Sequence, residues 1–203
     1  MADQKMTQSA PQSGTAKRAS SLALWAVLLV CAAPIIAAFV VYFYFKPTGN
    51  SQTGELVLPQ RPAVTLGAQL LTGEPFEFAQ RKGQWSMVIA GPSACAAQCQ
   101  AQLYNMRQIR TSTGKNRERV ERVWLVTDAG PIDAALLNQH PGLLVARVAA
   151  PSLVPWLSPA VEQLAGRLWL VDMRGNLMMQ YAPGADPKGI RRDVGKLLYI
   201  NKV

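Results

Sequence analysis

The chain has 203 residues, 21 Lys and Arg against 12 Asp and Glu, 49% hydrophobic and 16% charged residues, and three cysteines. That length excludes a large multidomain enzyme, and the apolar content excludes a disordered chain. Three cysteines cannot build a disulfide framework, and 15 glycines without a strict period exclude a collagen-like class.

Residues 1–19 are rich in Ser, Gln, Ala and Thr without apolar periodicity, which predicts a disordered tail. From Leu22 to Phe45 the chain carries no charged residue, Asn or Gln, and only Pro34 interrupts it. At about 1.5 Å per residue this run gives roughly 36 Å of helix, enough to cross a hydrocarbon core of about 30 Å. Trp25 near one end and Tyr42, Phe43, Tyr44 and Phe45 at the other suit the two interfaces. Lys17 and Arg18 before the span outweigh Lys46 after it, so the N-terminus is expected in the cytoplasm and the C-terminal part translocated. A cleaved signal peptide fits less well, because Pro34 follows Ala33 and Ile36 stands three residues before Ala38. Val30 before Cys31 disfavours a lipoprotein anchor, and Cys31 itself reads as a small packing residue of the span. The expected organisation is a cytoplasmic tail over 1–19, a transmembrane helix over 20–45, a linker over 46–60 and one extracytoplasmic domain over 61–203.

Within that domain, Val64–Leu71 and Glu74–Phe78 flank Thr72-Gly73 as a hairpin, and Trp85–Ile89 is a buried strand. Ala96 to about Thr111 is predicted helical, with Leu103, Met106 and Ile109 on one face. Val123–Val126 is the next strand, Pro131–Leu137 a helix opened by its proline, Leu143–Val148 a strand, and Ser152–Leu157 a short helical or loop connection. Leu168–Val171 and Leu177–Tyr181 form a second hairpin around Asp172–Asn176, and Pro187–Ile200 is an amphipathic terminal helix. A hairpin, a βαβαβ core, a second hairpin and a last helix predict an α/β sandwich with a mixed sheet.

The chemistry is expected in Gly91-Pro92-Ser93-Ala94-Cys95-Ala96-Ala97-Gln98-Cys99, which follows the first central strand and opens its helix. Two cysteines four apart share a helix face, and the helix N-terminus favours thiolate over thiol. The pair suits a reversible disulfide or a soft metal such as Cu(I). The bland alternative is two small residues packing a helix on a sheet.

Gly83-Gln84-Trp85-Ser86-Met87-Val88-Ile89, then Gly91, Cys95 and Cys99, together with Leu170-Val171-Asp172 and Gly175, resemble the Sco/SenC proteins over roughly residues 60–200. These are membrane-tethered, thioredoxin-fold assembly factors of cytochrome c oxidase. The resemblance implies a thioredoxin-like sandwich behind one membrane anchor in the bacterial inner membrane, with the domain periplasmic. It also implies action on the copper centre of the oxidase, with oxidase subunits or other assembly factors as partners. Cys95 and Cys99 would be the redox pair and the Cu(I) ligands. The chain departs from the pattern in three places. Gln163-Leu164-Ala165-Gly166-Arg167 lacks the family's copper-ligand histidine, Ala96 and Gln100 replace the prolines after the cysteines, and Ala97 replaces an acidic residue between them. Thioredoxins proper fit less well, since they use CxxC and a proline before the late strand. Peroxiredoxins fit worse, with Pro92 where a Thr or Ser belongs.

His140 is expected on the surface at the opposite sheet edge from Cys95, and Met87, Met173, Met178 and Met179 are expected mainly in packing roles. Arg107, Arg110, Lys115, Arg117, Arg119 and Arg122 against Glu118 and Glu121 read as a solvated basic face, or as a dock for anionic headgroups or an acidic partner. Nucleic acid is not an expected partner of a translocated domain. Besides a Sco-like factor, the motif allows a thiol–disulfide reductase or a redox-silent interaction protein of the same fold. The oligomeric state is not legible.

Overall fold

The computed structural model describes residues 20–44, 53–62, 65–157 and 163–201. The tail 1–19, Phe45, the first part of the expected linker and Val64 lie outside the described residues. The rest falls into two compact units, one containing helix α1 (Ser20–Tyr44) and the other everything from Thr53 onward.

Helix α1 holds Pro34 within it and exposes large apolar side chains on every side, among them Trp25, Leu29, Ile36 and Phe39. Its Ala23–Val41 segment is long and apolar enough to cross a membrane, and no other described helix is. Phe39 and Phe43, one turn apart, stack with centroids 6.1 Å apart. Cys31 is exposed and outside any disulfide.

The second unit is built on an eight-stranded mixed sheet. Its strands are β1 (Glu55–Arg61), β2 (Ala68–Leu70), β3 (Pro75–Phe76), β4 (Trp85–Gly91), β5 (Val120–Val126), β6 (Leu143–Arg147), β7 (Leu168–Val171) and β8 (Leu177–Tyr181). Their spatial order is β1-β8-β7-β4-β5-β6-β2-β3. The central strands β4, β5 and β6 are parallel, and all other pairings are antiparallel. Helices α2 (Ala97–Ser112), α3 (Ala134–Gln139), α4 (Ala150–Leu157) and α5 (Pro187–Ile200) complete the unit.

Side-chain parity divides the core. On β4, Trp85, Met87 and Ile89 pack with Leu103, Met106 and Ile109 of α2 and with Ile190, Val194 and Leu198 of α5. The alternate residues Val88 and Ala90 join Phe76, Phe78 and the α4 residues Leu153, Trp156 and Leu157 on the other face. Each such side chain contributes roughly 1.5–3 kcal/mol when fully buried. Helices on both faces explain why β4 and β5 read as nearly continuous apolar runs. Asp186 caps α5, accepting from the amides of Lys188 and Gly189, and Pro187 opens its first turn.

Several expectations need correction. The reach expected as a linker to residue 60 carries β1, an edge strand whose only buried side chain is Val57, so its sequence shows no alternation and tolerates Pro59. Asp193 of α5 fastens its start by accepting from the amides of Thr53 and Gly54 at 2.7 and 3.0 Å. Helix α3 begins after Asp133, whose carboxylate caps Ala135, and not at Pro131. Ser152–Leu157 needs no correction: of the helical and loop alternatives expected there it takes the helical one, within α4. His140 is buried, not on the surface: the turn that follows it is held against β5 by the buried Arg122, which donates to the Pro141 carbonyl.

Candidate functional site

Parallel pairing places Gly91 opposite Val126, so the loops that follow β4 and β5 leave the sheet at the same end. The antiparallel β7, with Trp169 opposite Val88, brings the loop before it to that end too. Three segments distant in sequence therefore meet: 92–96, 127–132 and 163–167.

Cys95 and Cys99 lie there and form a disulfide, their Cα atoms 5.2 Å apart. Cys99 belongs to the first turn of α2 and Cys95 stands just before the helix, held by the hydrogen bond that its amide donates to the Ser93 carbonyl at 2.8 Å. Both are half-buried. The residue at the helix N-cap, Ala96, supplies no side-chain acceptor, so the first-turn amides keep their positive end uncapped beside the sulfurs.

Two clefts flank the bond. Cys99 opens on a cavity of about 120 Å³ whose walls include Pro92, Gln98, Gln102, Trp124 and Gly166. Cys95 opens on a wider cleft of about 380 Å³ with Ser93, Gln100, Pro131, Asp133 and Leu136. The first is closed by a tight contact. Gly166 has φ +72°, a Cβ built on it would come within 2.2 Å of the Gln98 amide, and its carbonyl accepts from Gln102 Nε2 at 2.6 Å.

The cysteine loop is braced from β5. The Ser93 amide donates to both carboxylate oxygens of Asp128 at 3.1 Å, and Gly130 donates to the same carboxylate. Hydrogen bonding from Ser93, with the Gly130 amide and the Arg147 guanidinium behind it, holds the Asp128 carboxyl below its ordinary value against a smaller opposing effect of burial. Arg147 completes the brace by donating to the carbonyls of Asp128 and Gly130. Any residue larger than Gly130 would collide with the Ser93 hydroxyl, 2.3 Å from a built Cβ. Asp128, Gly130, Gln102 and Trp124 were not singled out from the sequence, and Ser93 and Gln98 entered only as members of the cysteine stretch. The available signal was a short polar run, Thr127-Asp128-Ala129-Gly130, at the end of a parallel strand.

The sulfurs are the donors that this end offers a metal. No group of three or more His, Cys, Asp or Glu able to hold an ion occurs among the described residues. The 163–167 loop is where the resemblance requires a histidine, and it does reach the cysteine cavity, but with Ala165, Gly166 and Arg167. His140 stands before β6, whose Leu143 pairs with Arg122 near the start of β5, at the opposite end of the sheet. Met87 and Met179 are core residues, while Met173 and Met178 line a cleft with Trp85 at the start of β4, again remote from Cys95. The residues present thus fit Cu(I) as a two-sulfur site and do not fit Cu(II), which takes nitrogen ligands.

Comparison with known proteins agrees with this architecture. Copper-bound Sco1 of yeast superposes with a TM-score of 0.53 at 15% identity, covering 70% of this chain and 94% of that one. Apo Sco1 of Thermus thermophilus gives 0.52 at 18% identity, with 75% and 99% covered. A putative thiol:disulfide interchange protein DsbE of Chlorobium tepidum gives 0.50 at 18%, with 70% and 96% covered. At these identities the likeness establishes a thioredoxin-like fold. No curated protein matches the chain in sequence. Residues 85–201 match the family model of the transmembrane-like, thioredoxin-like C-terminal domain. With the apolar helix ahead of a mixed sheet and the cysteine pair at its central strand, the chain belongs to that transmembrane-like, thioredoxin-like family.

Proposed function

We propose that the chain is a membrane-anchored assembly factor for the copper centre of cytochrome c oxidase, working through Cys95 and Cys99. In this reading α1 holds it in the bacterial inner membrane, the domain faces the periplasm, and the partners are oxidase subunits or other assembly factors. The observation that carries the reading is the half-buried Cys95–Cys99 bond at the uncapped start of α2, with a cleft on each side.

In the reduced protein the helix N-terminus favours the Cys95 thiolate. That thiolate attacks one sulfur of a partner disulfide, and the partner's other sulfur leaves as a thiolate. Cys99 then attacks the Cys95 sulfur of the mixed disulfide and releases the partner's second sulfur. Two electrons pass to the partner, the two thiol protons follow to its sulfurs, and this chain is left with the Cys95–Cys99 bond. The same two thiolates can carry Cu(I) as cargo in two-coordinate form. A reductase of periplasmic partners without copper is the second reading, favoured by a donor set that ends at two sulfurs.

The test is an anaerobic Cu(I) titration of the reduced full-length protein in detergent against a competing chelator, with Cys95→Ala, Cys99→Ala as control. Binding near one equivalent that disappears in the control supports the copper role. No binding above the control removes copper and leaves the reductase, provided that the reduced protein reduces a model disulfide. If the double variant supports oxidase assembly fully in cells, both readings fail.

A further inference from the structure

At the end of the sheet away from the cysteines, Arg122 of β5 projects to the same face as Val120 and Trp124, under α2. It is 2% exposed. Its Nη2 donates to the Pro141 carbonyl, while Nε and Nη1 have no hydrogen-bond partner among the described residues. Beside it His140 is 5% exposed, and its Nδ1 is likewise without a partner.

Two further guanidinium groups converge from the last turns of α2. Arg107 donates through Nη1 to the Gln139 carbonyl at 2.6 Å and lies over the Tyr104 ring. Arg110 donates through Nε to the Val120 carbonyl at 2.7 Å and through Nη2 to Glu118 at 3.2 Å. Glu118 is 75% exposed and shared with Arg117, whereas Glu121 is engaged by Arg81 on the other face of β5. Burial, then Arg110 and Arg107, push the Arg122 guanidinium down, and burial, then Arg107 and Arg122, push His140 down.

A helix C-terminus accounts for Arg107 and Arg110, since cations are favoured there. It does not account for a guanidinium inside the core with two donors unpaired and no carboxylate facing it, an arrangement that is costly unless a counter-charge is supplied. His140 and the Pro141-Gly142 turn that Arg122 supports also line a cleft of about 280 Å³ with Leu70, Leu71 and Thr72.

We propose that this end of the domain binds a phosphate group, with Arg122, Arg107 and His140 as its donors. Phosphate oxygens accept several charge-assisted hydrogen bonds at once and neutralise a cluster of guanidinium groups. The group comes from free inorganic phosphate or from an anionic phospholipid headgroup.

The test uses the full-length protein in dodecyl maltoside, with thermal melting and calorimetric titration at matched ionic strength against chloride. The probes are inorganic phosphate, dihexanoylphosphatidylglycerol and dihexanoylphosphatidylcholine. A saturable rise in melting temperature is expected with phosphate or the glycerol lipid, with affinity lowered about tenfold or more in Arg107→Gln. Saturation by inorganic phosphate assigns a free anion, and saturation by the glycerol lipid alone assigns a headgroup. Arg122→Gln extends the test if it folds, but Arg107→Gln, altering a half-exposed side chain, stands without it. No saturable effect beyond chloride from any probe, or wild-type affinity in Arg107→Gln, overturns the proposal.

Discussion

The two ends of the central sheet treat their polar groups in opposite ways. At the cysteine end, the exposed Asp128 carboxylate takes the amides of Ser93 and Gly130, Arg147 takes the neighbouring carbonyls, and small residues keep the approach to the sulfurs open. At the other end, Arg122 and His140 are enclosed with donors or acceptors unpaired and further positive charge around them. The same strands run through both. The satisfied hydrogen-bond brace fixes the loop that carries Cys95, whereas the unsatisfied cluster leaves buried charge without compensation among the described residues.

The largest effect that would break the contrast is loss of the sulfurs. Cys99→Ala should abolish turnover in a disulfide-reduction assay and trap Cys95 as a mixed disulfide visible by mass spectrometry, while the other end is unaffected. Turnover at the wild-type rate would deny the cysteine end its chemistry. Next, Trp124 lies on β5 between the two ends, fully buried and bordering the Cys99 cavity. Trp124→Ala should cost about 3–5 kcal/mol in denaturant unfolding. A loss below about 1 kcal/mol would show that the core around Trp124 is not tightly packed.

Smaller effects sharpen the comparison. Gly166→Ala places a Cβ at φ +72° and against the Gln98 amide, so a loss of roughly 1–2 kcal/mol is expected. Because the same contact closes the Cys99 cavity, reactivity of the reduced cysteines toward an alkylating probe should change as well; unchanged reactivity would separate the 163–167 loop from the site. The smallest effect concerns pH. The unfolded His140 takes up a proton near its ordinary value of 6.5, whereas the folded residue resists protonation to lower pH. Its contribution to stability is therefore present in full above about pH 6.5 and is lost as pH falls toward the folded value. His140→Gln should flatten the fall in melting temperature on that acid side, and a slope identical to the wild type would show His140 to be without influence there.

Much of this was legible locally. Leu103, Met106 and Ile109 announced the buried face of α2, and the Asp172–Asn176 turn announced the β7–β8 hairpin, because helix and strand periods are properties of neighbouring residues. The position of Cys95 and Cys99 after the first central strand was legible for the same reason. The edge strand β1 was hidden because one buried valine makes no pattern. His140 and Arg122 were misplaced as solvated groups, since a histidine at a short helix end and an arginine in a basic run look the same whether or not another helix covers them.

By itself, the sequence determined an apolar helix able to span a membrane, an alternation of strands and helices, and a cysteine pair at a helix start. All of these rest on composition and spacing within about twenty residues. Only the tertiary structure decided that Asp128 braces the cysteine loop, that Gly166 faces Gln98 where the resemblance requires a histidine, and that four basic groups meet at the far end. Those meetings depend on which strands pair, in which direction and with which parity, and β-pairing is fixed by contacts among residues far apart in the chain.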